Sequence, residues 1–239
     1  MRNILITNDD GICSDGIIRL AEAAKEFGRV WVVAPADQRS AASHSITLHS
    51  HIDVMPHSFP VPGIPAFSCS GTPADCVRVG GLNVMPVRPD VVLSGINRGY
   101  NVASDVQYSA TVGAAFEASF QGYLGIALSE DFADHHEVTD RYLTEILTEL
   151  IGSPLPPGQI WNVNIPCCPP EQCGGILRDR SVSAGMIYRD SYDEICKLEG
   201  GGMRLTVHGE FTREAEPGTD FRAVMENYIS IGTVNNVGY

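Results

Sequence analysis

The chain has 239 residues, 44% hydrophobic and 19% charged, which suits one α/β domain with an appended arm and leaves ample material for a core. A net charge of −13 argues against a nucleic-acid duplex as the main partner, because a phosphate backbone is gripped through Lys and Arg. No apolar run is long enough to span a bilayer, the first acids arrive too early for a signal-peptide core, and seven scattered cysteines fit reduced thiols; the expected place is the cytoplasm, away from membranes.

Ile4, Leu5 and Ile6, with Thr7 behind them, read as a buried strand that ends in Asn8-Asp9-Asp10-Gly11. Ser14 is the expected N-cap of a helix carrying Ile17, Leu20, Ala21, Ala24 and Phe27, closed by Gly28. Residues 29–34 (RVWVVA) form a second strand, so the opening is a βαβ unit and the sheet is mostly parallel. Residues 35–43 (PADQRSAAS) are then a polar loop on the same carboxyl edge. Alternation over 45–54 predicts a half-buried strand leaving the sheet as a hairpin, and Pro56 to Pro65 a loop. A short strand is expected at Phe67–Ser70. Thr72-Pro73-Ala74-Asp75 starts a helix that ends at Gly80-Gly81.

The next strand, residues 90–94 (DVVLS), empties into Gly95-Ile96-Asn97-Arg98-Gly99, and Ser109-Ala110-Thr111 opens another helix. Residues 125–129 (GIALS) are a strand, Val138, Tyr142, Ile146 and Leu150 the apolar face of a helix, and Trp161, Val163 and Ile165 one side of a further strand. Residues 167–215 read as loop-rich, with hairpin strands near Gly185–Tyr188 and Met203–His208. Thr219 and its neighbours cap a short helix, and Tyr228 to Ile231 resembles a last strand.

Two adjacent carboxylates at a strand end repel each other, and one takes up a proton unless a cation sits between them. Side chains alternate along a strand, so Asp9 and Asp10 can meet one ion only where the chain turns, and Gly11 supplies the turn. Ser40 and Asn97 sit on loops at the same edge. Carboxylate, hydroxyl and amide oxygens are what Mg²⁺ or Mn²⁺ prefers. Ser109 and Thr111, at a helix N-terminus, form an anion cradle, and a metal beside such a cradle suits phosphate-ester hydrolysis. Taken singly, the acids read better as a solvated helix-capping turn, and Ser40, Asn97, Ser109 and Thr111 as ordinary loop and cap residues. His49 and His51 could meet zinc from one strand face but read better as a polar face. Cys167, Cys168 and Cys173 have poor zinc spacing and read as free thiols.

In order and spacing, NDDG at 8–11, HSITL at 44–48, SGTPADCV at 70–77, SGIN at 94–97, TVGAA at 111–115, NVNIP at 162–166 and GTD at 218–220 resemble the motifs of the survival protein SurE family of metal-dependent nucleotide phosphatases. The resemblance runs nearly end to end. It implies one α/β domain over 1–239: a Rossmann-like, mostly parallel sheet with flanking helices over about 1–165, then a β-hairpin extension and a C-terminal oligomerisation portion over 166–239. It implies hydrolysis of nucleoside 5′- and 3′-monophosphates to nucleoside and phosphate, in a homodimer or homotetramer, with polyphosphate trimming in some members. One divalent cation per subunit, Mg²⁺ or Mn²⁺, falls to Asp9, Asp10, Ser40 and Asn97. Asp9, Asp10 and Asn97 are the expected catalytic groups, Asn8, Gly95, Ser109 and Thr111 the phosphate contacts, and His44, Asn101 and Tyr108 further substrate contacts. Two positions and the C-terminal segment depart from the family pattern: Ala41 and Ala110 stand where glycine is usual, and the YISIGTVNNVGY ending lacks the usual proline-leucine.

Other functions compete less well. A covalent aspartyl phosphatase needs a second acid two positions on and a downstream lysine, and a receiver-like switch needs an acceptor aspartate at a later strand end. A Rossmann dinucleotide binder needs a glycine fingerprint where this chain has two acids. A nucleotide-sensing module that binds without turnover uses the same site, and multiple turnover separates it from an enzyme.

Overall fold

Ile4, Leu5 and Ile6 are wholly buried in the computed structural model, which describes residues 1–236, and they form the middle of β1 (Arg2–Thr7). Such a run demands cover on both faces. Ile4 and Ile6 join one core and Leu5 another. After α1 (Asp15–Ala24), β2 (Gly28–Pro35) repeats the alternation, with Val30, Val32 and Ala34 opposite Val33.

β3 (Val54–His57) and β4 (Ala66–Cys69) follow, then α2 (Pro73–Val79), β5 (Val91–Arg98), α3 (Ala110–Phe120), β6 (Leu124–Glu130), α4 (Glu137–Ile151) and β7 (Gln159–Ile165). The chain continues through β8 (Ile176–Leu177), β9 (Tyr188–Lys197), β10 (Met203–Phe211), α5 (Asp220–Met225) and β11 (Ile229–Asn235). The main sheet has nine strands among the described residues, ordered β3-β4-β2-β1-β5-β6-β7-β11-β8. From β4 to β7 every neighbouring pair is parallel, while β3 and β11 run antiparallel to β4 and β7. Helices α1 and α4 pack on the Ile4–Ile6 face, and α2 and α3 on the Leu5 face.

The sheet is thus the mostly parallel α/β sheet expected, and its order fixes where a ligand can sit. From β1 the chain moves outward to β2 and β4 on one side, then returns to place β5 on the other. The crevice at that reversal, beyond the carboxyl ends of β1 and β5, is where open α/β sheets bind ligands. Residues 8–11 and 95–99 both open onto it.

Four local expectations need correction. Residues 45–53 are not a strand: the Thr47 N–H and hydroxyl both turn to Asp75, so that N–H is lost to any ladder, and Leu48 is exposed. The edge strand β3 lies further on and contains Pro56, which an edge tolerates. The first hairpin strand begins where it was expected to end, because every residue of β9 and β10 is exposed and no buried face marks its period. This hairpin forms a separate two-stranded sheet. Ser14 does occupy the α1 cap position, but its hydroxyl accepts from Asn8 Nδ2 at 2.7 Å rather than capping the helix. Residues 237–239 of the YISIGTVNNVGY ending lie outside the described residues.

Candidate active site

Asp9 and Asp10 follow directly on β1, at the sheet reversal. Asp9 is buried; its Oδ1 accepts a 2.6 Å hydrogen bond from the Thr111 hydroxyl, on the first turn of α3. Burial, opposed by that hydrogen bond and assisted by the Asp10 charge, pushes its carboxyl up to about 6. Asp10 is half-buried and also raised, by desolvation, against a 3.1 Å bond from the Arg98 backbone N–H to its Oδ2. No Lys, Arg or His makes an ion pair with either acid among the described residues.

The serine loop is tied to this turn. The Arg39 N–H donates to the Asp9 carbonyl at 2.7 Å, and Ile12 N–H to the Pro35 carbonyl at 2.9 Å. Gly11 takes φ +97°, the turn geometry expected of it. Gln38 Nε2 reaches Asp10 Oδ1 at 3.4 Å and the Ser40 hydroxyl oxygen at 3.0 Å, so one donor bridges two of the expected ligands. Asn97 donates its Nδ2 to the Gly99 carbonyl at 2.8 Å, leaving its oxygen as the acceptor end. Asp9, Asp10, Ser40 and Asn97 therefore share one rim.

This donor set fits a hard divalent cation. It consists of oxygens, it holds two carboxylates short of hydrogen-bond donors, and the buried amide oxygen of neighbouring Asn8 has no hydrogen-bond partner. No group of three or more His, Cys, Asp or Glu suited to a metal occurs among the described residues, so a cation here would rely on Ser40 and Asn97 beside the two acids. His49 and His51 are both exposed.

The expected phosphate contacts are engaged in ways the sequence left open. Asn8 commits its amide nitrogen to the Gly11 carbonyl at 2.9 Å and to Ser14. Ser109 caps α3, accepting from the Val112 N–H at 3.1 Å. Gly95 lies so close to β6 that a Cβ would come 2.3 Å from the Leu128 carbonyl. Ala110, at the first turn of α3, is buried in helical backbone and needs no glycine; Ala41 has φ +57°, the left-handed region where glycine is at ease.

Of the three expected substrate contacts, His44 and Asn101 have side chains bonded within the protein, and among the described residues Tyr108 does not. His44 Nε2 pairs with the buried Glu117 at 2.9 Å, its ring stacks on Phe120, and a Cβ at Gly113 would lie 2.9 Å from the His44 Cα. Arg78 and Gln121 complete the cage of Glu117, and these bonds, the His44 one foremost, hold its carboxyl low against the opposing effect of burial. Asn101 is buried, donating Nδ2 to Ser129 at 2.7 Å and accepting through its carbonyl from Asn162 and Asn164. Tyr108 is exposed, and its carbonyl accepts from the Ser43 N–H at 3.0 Å.

Gln38 and Arg98 were missed. Their only signal is adjacency, two residues before Ser40 and one after Asn97. Both line a cleft of ≈ 520 Å³ beside Asp10.

The family model described as Survival protein SurE matches residues 4–184. The chain is 37% identical over 234 residues to the 5'-nucleotidase SurE of Clostridium botulinum (strain 657 / Type Ba4), covering 96% of this chain and 91% of that one. It is 39% identical over 231 residues to the 5'/3'-nucleotidase SurE of Klebsiella pneumoniae (strain 342), covering 95% and 88%. The crystal structure of the SurE protein from Aquifex aeolicus superposes with a TM-score of 0.80 at 32% identity, over 98% of this chain and 93% of that one.

Proposed function

The chain belongs to the survival protein SurE family, and from that premise we propose that it is a nucleotidase whose reaction runs at the rim shared by Asp9, Asp10, Ser40 and Asn97. The substrates are nucleoside 5′- and 3′-monophosphates and the products nucleoside and phosphate. The observation that carries this reading is a pair of adjacent carboxylates, desolvated and without an ion-pair partner among the described residues, gathered with two neutral oxygen donors at the sheet reversal.

Asp9, Asp10, Ser40 and Asn97 would hold one Mg²⁺ or Mn²⁺. When bound, that cation supplies charge to the phosphoryl oxygens and lowers the pKa of water. The remaining work falls to the protein. Thr111 keeps Asp9 aimed into the rim from the α3 N-terminus, and the Arg98 N–H fixes one Asp10 oxygen. Gln38 steadies Ser40 against Asp10. The Glu117 cage holds the His44 end of the serine loop on α3, so His44 positions that loop rather than meeting the phosphate. In this reading water attacks phosphorus and the ester oxygen leaves with the nucleoside, so no phosphorylated side chain forms.

A panel of phosphomonoesters assayed with Mg²⁺, Mn²⁺ and EDTA tests this. The expected result is multiple turnover on nucleoside monophosphates, abolished by EDTA and restored by either metal, with no labelled phosphate retained on acid-quenched enzyme. Turnover that survives EDTA removes the metal from the account, and tight binding without turnover makes the chain a sensor.

The hairpin of β9 and β10 supports subunit contact, because Tyr192, Ile195, Met203 and Val207 are each more than half exposed. We assign it, with the residues after 166, to homodimer or homotetramer formation around a core over about 1–165. No helix among the described residues is long and apolar enough to cross a membrane. A cytoplasmic setting agrees with seven free cysteines.

A further inference from the structure

Phe132 stands on the loop that follows β6, and its side chain is 72% exposed. Its ring does not face bulk solvent alone. It lines the ≈ 520 Å³ cleft together with Asp10, Gln38, Arg98, Asp134 and His136, a volume in the range of small-molecule sites. The Arg98 guanidinium lies 4.3 Å from the ring centroid and is itself held by Asp134 Oδ1 at 2.6 Å. The backbone N–H of the same Arg98 donates to Asp10. One residue thus links the acid pair, through its main chain, to an open aromatic ring, through its side chain.

The loop is anchored at both ends. The Asp131 N–H donates to the Ile165 carbonyl at 3.1 Å, and the Phe132 N–H to Asp131 Oδ1 at 2.8 Å. At the far end, His136 Nδ1 at 3.0 Å and Thr139 Oγ1 at 2.7 Å reach back to buried Glu130, the last residue of β6, which also takes the Arg19 guanidinium. An aromatic ring on a fixed loop, backed on one face by a cation and opening into the cleft beside the reacting centre, is the arrangement that stacks a flat π-system.

We propose that Phe132 is the stacking surface for the nucleobase of the substrate and that Arg98 positions its ring. This rests on the nucleotidase reading of the rim. It explains how an enzyme whose chemistry concerns only phosphate would prefer nucleotides: the Phe132 ring rewards an aromatic base and gives nothing to an aliphatic alcohol.

The test compares adenosine 5′-monophosphate with β-glycerophosphate for the wild type, Phe132→Ala and Phe132→Tyr, alongside calorimetric binding of adenosine and the mass of the assembly by light scattering. Phe132→Ala is expected to lower the ratio of kcat/KM for the nucleotide to that for glycerophosphate about tenfold, through KM, and to weaken adenosine binding by a similar factor. Phe132→Tyr restores both. An equal fall on both esters, no change on either, or a change of assembly mass overturns the proposal, because the ring would then serve the loop, nothing, or a subunit contact. Phe132-dependent adenosine binding by a wild-type protein that turns over neither ester leaves the stacking site standing and removes the nucleotidase reading instead.

Discussion

Asp9 and Asp75 are both nearly inaccessible to solvent, 3% and 2% exposed, though Asp9 lies deeper, and the protein treats them in opposite ways. Asp75 sits at the third position of α2, where the Thr72 N–H, the Thr72 hydroxyl, and the N–H and hydroxyl of Thr47 all point at its carboxylate. Burial raises its pKa, but these donors outweigh burial and hold it below the usual carboxylate value. Asp9 has Thr111 and a like-charged neighbour, and its carboxyl is pushed up to about 6. A carboxylate that only has to hold a loop against a helix is given its full set of donors. One left short of donors, beside a second acid, is suited to a ligand that brings positive charge.

That contrast can be broken by substitution. Asp10→Asn is expected to leave the circular dichroism spectrum unchanged while lowering nucleotidase kcat/KM by roughly 10³-fold at low Mn²⁺, the scale on which electrostatic groups at a reacting centre act. Full activity in that variant would free Asp10 of any role. Asp75→Ala should do the reverse, leaving the acid pair in place and destabilising the fold by about 3 kcal/mol, since it strands buried donors on Thr47 and Thr72. Denaturant midpoints with unchanged slope would read that loss.

The pH dependence of stability sharpens it further. The folded protein keeps a proton on Asp9 between about pH 4 and pH 6, whereas the unfolded chain has released it. Metal-free protein in EDTA should therefore lose stability as pH rises through that window, by about 2 kcal/mol from this group. Asp9→Asn should flatten that part of the curve, and a wild type and variant with parallel curves would show that Asp9 titrates normally. The smallest effect concerns the serine loop. Ala41, at φ +57°, is an alanine in left-handed backbone, and Ala41→Gly should raise the melting temperature by the equivalent of about 1 kcal/mol or less.

How far the sequence could be read follows the same division. β1 and β5 were legible because an uninterrupted apolar run needs cover on both faces, as a sheet between two helix layers gives it, and Thr72-Pro73-Ala74-Asp75 because a capping box is local chemistry. The pairing of Asp9 with Asp10 was legible as a charge problem. Residues 45–53 were misread because their alternation mimics a strand, while the partner that decides their path, Asp75, lies 28 residues from Thr47. His44 has a partner the sequence could not show, Glu117, 73 residues away. The hairpin gave a weak signal because a strand exposed on both faces has no buried period to detect. Gln38 and Phe132 carry no motif at all; their place beside Asp10 comes from the sheet order.

The account turns on whether one cation is held by both acids of the β1 turn. Titration of EDTA-treated, dialysed protein with Mn²⁺, followed by electron paramagnetic resonance of the free ion, measures that without reference to catalysis. The predicted result is one Mn²⁺ per chain for the wild type and loss of that site in both Asp9→Asn and Asp10→Asn. Mn²⁺ bound with wild-type stoichiometry and affinity in both variants would contradict it.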